Sequence, residues 1–172
     1  MAATALMVID VQRVYMEPEP MLTRDGDDLI DKCRRLIEQA RSHGIPVLFV
    51  RHIDDEDAVD ESLTDIHPSL GRRGDEAVVT KRFGSAFFQT DLEQRLRDIG
   101  AQRLVVCGLA TFGCVNATVM CAVCKEYDVV VVEDAHGNPA NGPYSAAEVI
   151  EHFNRTWKRA GATLVSSTDV RF

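Results

Sequence analysis

Six short runs of apolar residues recur along the chain, and stretches with helical periodicity separate most of them. Because apolar residues follow one another within these runs and do not alternate with polar ones, the runs are typical of parallel strands that helices cover on both faces. The predicted strands are residues 5–9, 46–50, 77–80, 103–107, 129–132 and 163–165. This order of elements predicts a single three-layer, doubly wound (Rossmann-like) α/β domain over residues 1–172, with a six-stranded, mostly parallel sheet.

Four longer stretches carry apolar residues at helical spacing. They predict helices over residues 28–43, 90–99, 112–126 and 145–159. Two of them begin with the pattern of a capping box, in which a hydroxyl residue is followed three positions later by a glutamate. These pairs are Thr90 with Glu93 and Ser145 with Glu148. The remaining long stretch, residues 53–75, is acidic and irregular; a solvated loop is favoured there, and a lid or an oligomer contact stays open.

Composition and charge narrow the classes of function. The 172 residues are 45% hydrophobic, and 27 acidic against 19 basic side chains give a net charge of −8. This balance disfavours nucleic-acid binding, which needs clustered lysine and arginine. No apolar stretch is long enough to span a membrane, and the first ten residues lack the pattern of a signal peptide. Five cysteines, an odd number, favour reduced thiols. We therefore expect a cytoplasmic protein without membrane or nucleic-acid partners.

Reactive side chains follow several of the predicted strands. In open α/β sheets, ligands bind beyond the carboxyl ends of the strands. Asp10 ends the first strand, Lys81 ends the third, and residues 108–113 lead from the fourth strand into Cys114 at the start of a helix. The fifth strand ends in Glu133 and Asp134. The sequence thus predicts that an acid, a base and a thiol meet at one edge of the sheet.

These residue types suit nucleophilic catalysis. A thiol must lose its proton before it can attack, and its ordinary pKa near 8.5 keeps it mostly protonated at neutral pH. The positive end of a helix and the ammonium of Lys81 are predicted to lower the pKa of Cys114. Asp10 could accept the thiol proton and return it to a leaving amine. Backbone N–H groups in the turn before the helix would supply an oxyanion hole.

Several segments resemble the isochorismatase-like cysteine hydrolases. The matching segments are LMVIDVQ at 6–12, HPSL at 67–70, VTKRFGSAFFQTDL at 79–92, VCGLATFGCVNAT at 106–118 and YDVVVVEDA at 127–135. They follow the expected order over nearly the whole chain. The resemblance implies a catalytic triad of Asp10, Lys81 and Cys114. It also implies a cis peptide between Leu109 and Ala110, with the backbone N–H groups of Ala110 and Cys114 forming the oxyanion hole.

The resemblance also implies a reaction. Family members that hydrolyse the isochorismate vinyl ether lack the cysteine at position 114, whereas those that cleave amides keep it. We therefore expect hydrolysis of an amide or other C–N bond of a small molecule through a thioester, with release of ammonia or an amine. The resemblance implies a homo-oligomer as well. A substrate pocket lined by Tyr15, Phe83, Phe87 and Phe112 is predicted, although each ring could equally belong to the core.

The sequence departs from one branch of this family. Nicotinamidase-like members bind a metal through an Asp-x-His pattern and a further histidine near the second strand. Residues 51–54 read Arg-His-Ile-Asp here, so we expect neither a metal nor another cofactor. His52 is predicted to lie at the pocket or at the edge of the sheet.

Three other interpretations were weighed. Cys121 and Cys124 form a C-x-x-C pair, but they lie well inside a predicted helix, so helix packing is favoured over redox chemistry. A receiver domain would need an aspartate at the end of the third strand, where Thr80 and Lys81 stand. A catalytically silent family member that acts as a binding or scaffold protein stays open as the alternative.

Overall fold

A six-stranded parallel sheet forms the centre of the computed structural model, which describes residues 3–16, 26–53, 61–138 and 144–172. The strands are β1 (Ala3–Ile9), β2 (Val47–His52), β3 (Ala77–Lys81), β4 (Ala101–Gly108), β5 (Asp128–His136) and β6 (Thr163–Val165). They lie in the order β3-β2-β1-β4-β5-β6, and every neighbouring pair is parallel. The predicted doubly wound α/β fold is confirmed.

Helices cover both faces of this sheet. They are α1 (Arg13–Met16), α2 (Gly26–Ser42), α3 (Leu92–Asp98), α4 (Asn116–Cys124) and α5 (Ala146–Ala160). Leu6 and Val8 of β1 pack in the core beneath α2, whereas Met7 and Ile9 pack in the core beneath α3, α4 and α5. Both sets of side chains are buried, which is why consecutive residues in the middle of this strand are apolar. Among the described helices, none combines the length and the apolar character needed to cross a membrane.

One of the two capping boxes predicted from the sequence is present in the structure, and the other is not. Ser145 and Glu148 form the predicted capping box at the start of α5. The capping box predicted for α3 is wrong, because Asp91 occupies the N-cap position and Glu93 instead bonds Lys125 at 2.7 Å. Thr90 still supports the helix start, since its hydroxyl accepts from the N–H of Leu92.

The stretch predicted as a long irregular loop carries some regular structure. Short 3₁₀ turns form at Glu61–Thr64 and Pro68–Leu70. Between them, Gln12 and Ile66 make an isolated antiparallel bridge that ties this stretch to the end of β1. Residues 54–60, which hold most of its acidic side chains, lie outside the described residues.

The crevice that locates function lies between β1 and β4. From β1 the chain continues to β2 on one side, and β4 lies on the other side and continues to β5. Such a switch point opens a crevice at the carboxyl ends of the two strands. The strands stay close together there, because the N–H of Leu109 donates to the carbonyl of Ile9 at 2.7 Å.

Gly108 makes this close approach possible. Its φ is +119°, and a Cβ atom at this position would lie 2.1 Å from the carbonyl oxygen of Ile9. We predict that Gly108→Ala lowers the free energy of unfolding by about 3 kcal/mol, because side-chain clash adds to backbone strain. Gly100→Ala is the matched control: its φ is +66° with open space around it, so a cost of about 1 kcal/mol is expected. Urea unfolding of both variants measures the difference, and equal costs would contradict the steric explanation.

Candidate active site

A buried ammonium group lies at the centre of the site. Nζ of Lys81 is 2.7 Å from Oδ2 of Asp10 and 3.0 Å from Sγ of Cys114. It also lies 3.1 Å from Nδ1 of His52. The side chain of Lys81 is fully buried and that of Asp10 is 3% exposed. The acid, the base and the thiol predicted from the sequence therefore come together around one nitrogen atom.

The sheet places three of these groups. Asp10 follows β1 with a φ of +50°, and its N–H donates to the carbonyl of Val50 at 2.9 Å. His52 and Lys81 are the last residues of β2 and β3, and they are paired directly across the two strands. Because paired residues of neighbouring strands point to the same face, their side chains reach the carboxyl edge side by side.

A tight turn after β4 delivers the thiol. The Leu109–Ala110 peptide is cis, and residues Thr111–Val115 form a π-helical turn that leads into α4. The carbonyl of Ala110 accepts from the N–H groups of Gly113 and Val115. These bonds hold Cys114, which is partly buried, beside Lys81 at the start of the helical segment.

The far side of this turn is fixed by β5. The N–H of Thr111 donates to the carbonyl of Gly137 at 2.7 Å, and its hydroxyl lies 2.9 Å from Nδ1 of His136. Nε2 of His136 lies 3.0 Å from Oδ1 of Asn154 on α5. Burial lowers the pKa of His136 to about 4, so this ring is neutral at neutral pH. The turn that carries Cys114 is thus fastened to β5 and α5.

The pKa of the Cys114 thiol in the resting site differs from the sequence prediction. Burial raises the pKa of the Cys114 thiol to about 11, and the negative charge of Asp10 adds to the effect, while Lys81 opposes it. Burial also raises the pKa of Asp10, against the lowering influence of Lys81. The prediction that the thiol pKa is lowered is therefore wrong, because loss of solvent around the sulfur outweighs the ammonium.

The two carboxylate oxygens of Asp10 differ in their hydrogen bonds, and this difference suggests how the thiol can be activated. Oδ2 is paired with Lys81, whereas the buried Oδ1 makes no hydrogen bond within the described part of the chain. A carboxylate oxygen and the thiol sulfur lie within 4.8 Å of each other. A buried acceptor without a donor is costly unless it is used by a ligand or a reaction.

Comparison with known proteins agrees with this geometry. The isochorismatase domain profile matches residues 4–169. The chain belongs to the isochorismatase family. The isochorismatase family protein YddQ of Bacillus subtilis (strain 168), itself uncharacterized, is 34% identical over 137 residues, covering 77% of this chain and 76% of its own.

Two further relatives agree with that assignment. Ureidoacrylate amidohydrolase RutB of Yersinia enterocolitica is 30% identical over 172 residues, covering 78% of this chain and 75% of its own. The crystal structure of a cysteine hydrolase from Pseudomonas syringae pv. phaseolicola has a TM-score of 0.89 at 26% identity, covering 97% of this chain and 90% of that one. Members of the isochorismatase family are hydrolases, and they include amidohydrolases acting on C–N bonds. The chain is accordingly a hydrolase of this family.

One cluster of side chains at this site has donor atoms of the kind that can hold a metal ion. Among the described residues, the group able to hold a metal is Asp10, His52 and Cys114, whose ligand atoms lie within 4.8 Å of one another. The ammonium of Lys81 already contacts all three side chains. A cation in their midst would have to displace a buried positive charge, so these residues suit the lysine and not a metal.

The aromatic residues predicted to line the substrate pocket lie in different places. Phe112 is 54% exposed beside Cys114, and Phe83 is 47% exposed and packs edge-to-face on Phe88. Tyr15 packs partly buried against the core beneath α2. The prediction for Phe87 is wrong: its ring is buried beside Tyr127, which precedes β5 at the opposite end of the sheet from the thiol.

Two acidic residues predicted to end the fifth strand do not lie at the carboxyl edge of the sheet. β5 runs on to His136, so Glu133 and Asp134 lie within the strand and not at its end. Asp134 accepts from the backbone and hydroxyl of Ser167 and pairs with Lys32 at 3.4 Å. This carboxylate therefore belongs to the packing of α2 and not to the triad.

Sequence reasoning underestimated His52 and did not single out Gln12. Both lie where strand ends place reactive groups: His52 comes two residues after the apolar run of the second strand, and Lys81 comes directly after that of the third. Gln12 lies two residues after Asp10 and is fully buried. A buried amide so close to a strand end is a signal for a structural hydrogen-bond network.

Proposed function

We propose that this isochorismatase-family protein hydrolyses an amide or other C–N bond of a small molecule through a thioester on Cys114. One observation supports the proposal above all others: a single buried ammonium, that of Lys81, contacts both a carboxylate and a thiol. The arrangement supplies a nucleophile, a proton acceptor and a fixed positive charge within hydrogen-bond distance.

The first half of the reaction forms the thioester. Sγ of Cys114 attacks the carbonyl carbon while its proton passes to Oδ1 of Asp10. Burial raises the pKa of the Asp10 carboxyl, so it is a better acceptor for the thiol proton than an ordinary aspartate would be. The ammonium of Lys81 lies beside both groups and stabilises whichever is ionised. Asp10 then gives the proton to the nitrogen of the leaving ammonia or amine as the C–N bond breaks.

The negative oxygen of the tetrahedral intermediate needs donors, and the turn after β4 is suited to provide them. The backbone N–H groups of Ala110 and Cys114 are the proposed oxyanion hole. Its shape depends on the bonds that Thr111 makes to Gly137 and on the acceptor role of the Ala110 carbonyl. Each preorganised donor of this kind contributes roughly 100-fold to 1000-fold in rate.

The second half of the reaction releases the acid. Water attacks the thioester carbon, Asp10 accepts a proton from that water, and the C–S bond breaks to return the thiolate of Cys114. The proton held by Asp10 then moves back to the sulfur, which restores the resting site. Every proton taken up in one half is delivered in the same cycle, so no cofactor is required.

A substrate panel tests this proposal. We predict that the protein releases ammonia or an amine from at least one class among primary amides, N-substituted amides and N-carbamoyl compounds. Isochorismate, a vinyl ether, should not be cleaved. Protein treated beforehand with iodoacetamide is the control, because a blocked Cys114 cannot attack. Cleavage of the vinyl ether with no C–N hydrolysis, or undiminished C–N hydrolysis after blocking, would contradict the proposal.

Other expectations from the sequence stay predictions. A homo-oligomer, a cytoplasmic location and the roles of Tyr15, Phe83 and Phe112 in substrate binding are untested. Phe83, Phe88 and Phe112 do present exposed aromatic surface.

A further inference from the structure

The third hydrogen bond of the Lys81 ammonium connects it to His52, which lies outside the proposed triad. An ammonium group has three N–H donors and no acceptor. The three acceptors around Nζ of Lys81 are Oδ2 of Asp10, Sγ of Cys114 and Nδ1 of His52, at 2.7, 3.0 and 3.1 Å. Each donor therefore has one partner, and His52 takes the N–H that the two reacting groups do not use.

This contact assigns the acceptor role to one nitrogen of the imidazole. Because an ammonium can only donate, Nδ1 of His52 is the acceptor for Nζ of Lys81 at 3.1 Å. The geometry is thus that of an imidazole that supports a cation.

The backbone of His52 is held by hydrogen bonds to the buried side chain of Gln12. The side-chain amide of Gln12 donates to the carbonyl of His52 at 2.8 Å and accepts from its N–H at 2.7 Å. The same amide donates to the carbonyl of Thr64. Gln12 is fully buried, and across the sheet His52 is paired with Lys81 in the β2–β3 register. The imidazole consequently has a fixed place beside the ammonium.

We propose that His52 is a positioning residue which accepts the third N–H of Lys81 and so directs the other two toward Asp10 and Cys114. This inference rests on the proposed function, because it assigns the support of the same triad. Lys81 keeps all three protons throughout the reaction, since the thiol proton travels to Asp10. Without an acceptor at position 52, the ammonium would rotate and its contacts to the carboxylate and the sulfur would weaken.

Two substitutions separate this role from simple packing. His52→Asn keeps an acceptor, because its Oδ1 can lie close to the position of Nδ1. His52→Leu has similar bulk and no acceptor. For both variants and the parent, the iodoacetamide alkylation rate at Cys114 is measured by peptide mass spectrometry from pH 5 to 9. The kcat and KM of an amide that the parent hydrolyses are measured beside it.

The leucine variant is expected to lower the alkylation rate at pH 7 by roughly tenfold to 100-fold, the effect of one hydrogen bond to a charged group. Its kcat should fall by a similar factor while KM changes little. The asparagine variant should stay within about threefold of the parent, a rescue that lost packing alone does not give. His52→Val replaces leucine in the comparison if that variant does not fold.

The measurements distinguish a failure of the role of His52 from a failure of the proposed function. A leucine variant with parental alkylation and kcat, or an asparagine variant as slow as leucine, overturns the role of His52 and leaves the triad intact. If the alkylation rate at Cys114 of the parent rises about tenfold with each pH unit, as for a thiol without an internal proton acceptor, the proposed function fails, and the role of His52 fails with it.

Discussion

Replacing Cys114 by alanine is expected to lower hydrolysis by about 10⁴-fold or more. The other groups of the triad act only through this sulfur, and removal of a nucleophile typically disables such a unit as a whole. The fold should persist, because Cys114 is partly buried at the edge of the sheet and not in its centre. Release of ammonia or amine measures the loss, and circular dichroism checks the fold.

Cys124→Ala is the matched control for this prediction. It removes the same atom from an exposed cysteine at the end of α4. Turnover within about twofold of the parent is expected, as is usual for surface substitutions away from a site. Retained hydrolysis in the Cys114→Ala protein would show that another group attacks the substrate.

Replacing Asp10 by asparagine is expected to lower kcat/KM by about 100-fold or more, the usual scale for loss of general acid–base catalysis. Asparagine keeps the shape of the side chain but cannot take the thiol proton or pass it to the leaving nitrogen. Asp134→Asn is the matched control, because this carboxylate pairs with Lys32 and Ser167 away from the site. The control should retain turnover within about twofold.

The same aspartate sets the acid limb of the pH profile. Burial raises the pKa of Asp10 above its ordinary value of 3.8. Below the raised pKa, Asp10 already carries a proton and cannot accept another, so kcat/KM falls as the pH falls through that value. The limb should therefore lie at higher pH than an ordinary aspartate would give, and it should be absent from the residual activity of Asp10→Asn. An unchanged limb in the variant would assign the ionisation to a different group.

Much of the fold could be predicted because the strands are buried on both faces. Leu6 and Met7 point to opposite cores, so the apolar runs that mark the strands carry a clear signal. The start of α3 was less predictable, since Thr90 and Asp91 both suit an N-cap and only the packing around Glu93 and Lys125 decides between them.

The meeting of an acid, a base and a thiol could be predicted from position, and the proposed triad from the family resemblance, but the energetics of the site could not be predicted. Asp10, Lys81 and Cys114 follow strands whose ends share one edge of the sheet. The direction of the Cys114 pKa shift depends on how much solvent the folded chain removes from the sulfur, which no spacing reveals. The role of His52 depends on the β2–β3 register, and Phe87 was misplaced because an aromatic residue near a catalytic lysine can point to either end of the sheet.

The pH dependence of iodoacetamide alkylation in the parent protein tests the central claim most directly. Cys114 and the exposed Cys124 are followed in the same sample by peptide mass spectrometry. If the thiol proton moves to Asp10 beside Lys81, the reactive fraction of Cys114 does not depend on pH between the two pKa values. The account predicts that the rate at Cys114 is level over the pH range between the raised pKa of Asp10 and that of the thiol, whereas the rate at Cys124 rises with pH.

The result that would contradict this account is a different dependence of the alkylation rate on pH. A thiol with a pKa of about 11 and no internal proton acceptor would react slowly at pH 7, and its rate would rise about tenfold with each pH unit. A Cys114 that follows this slope across the whole range would contradict the proposed proton transfer, and the protein would then fit a catalytically silent member of its family.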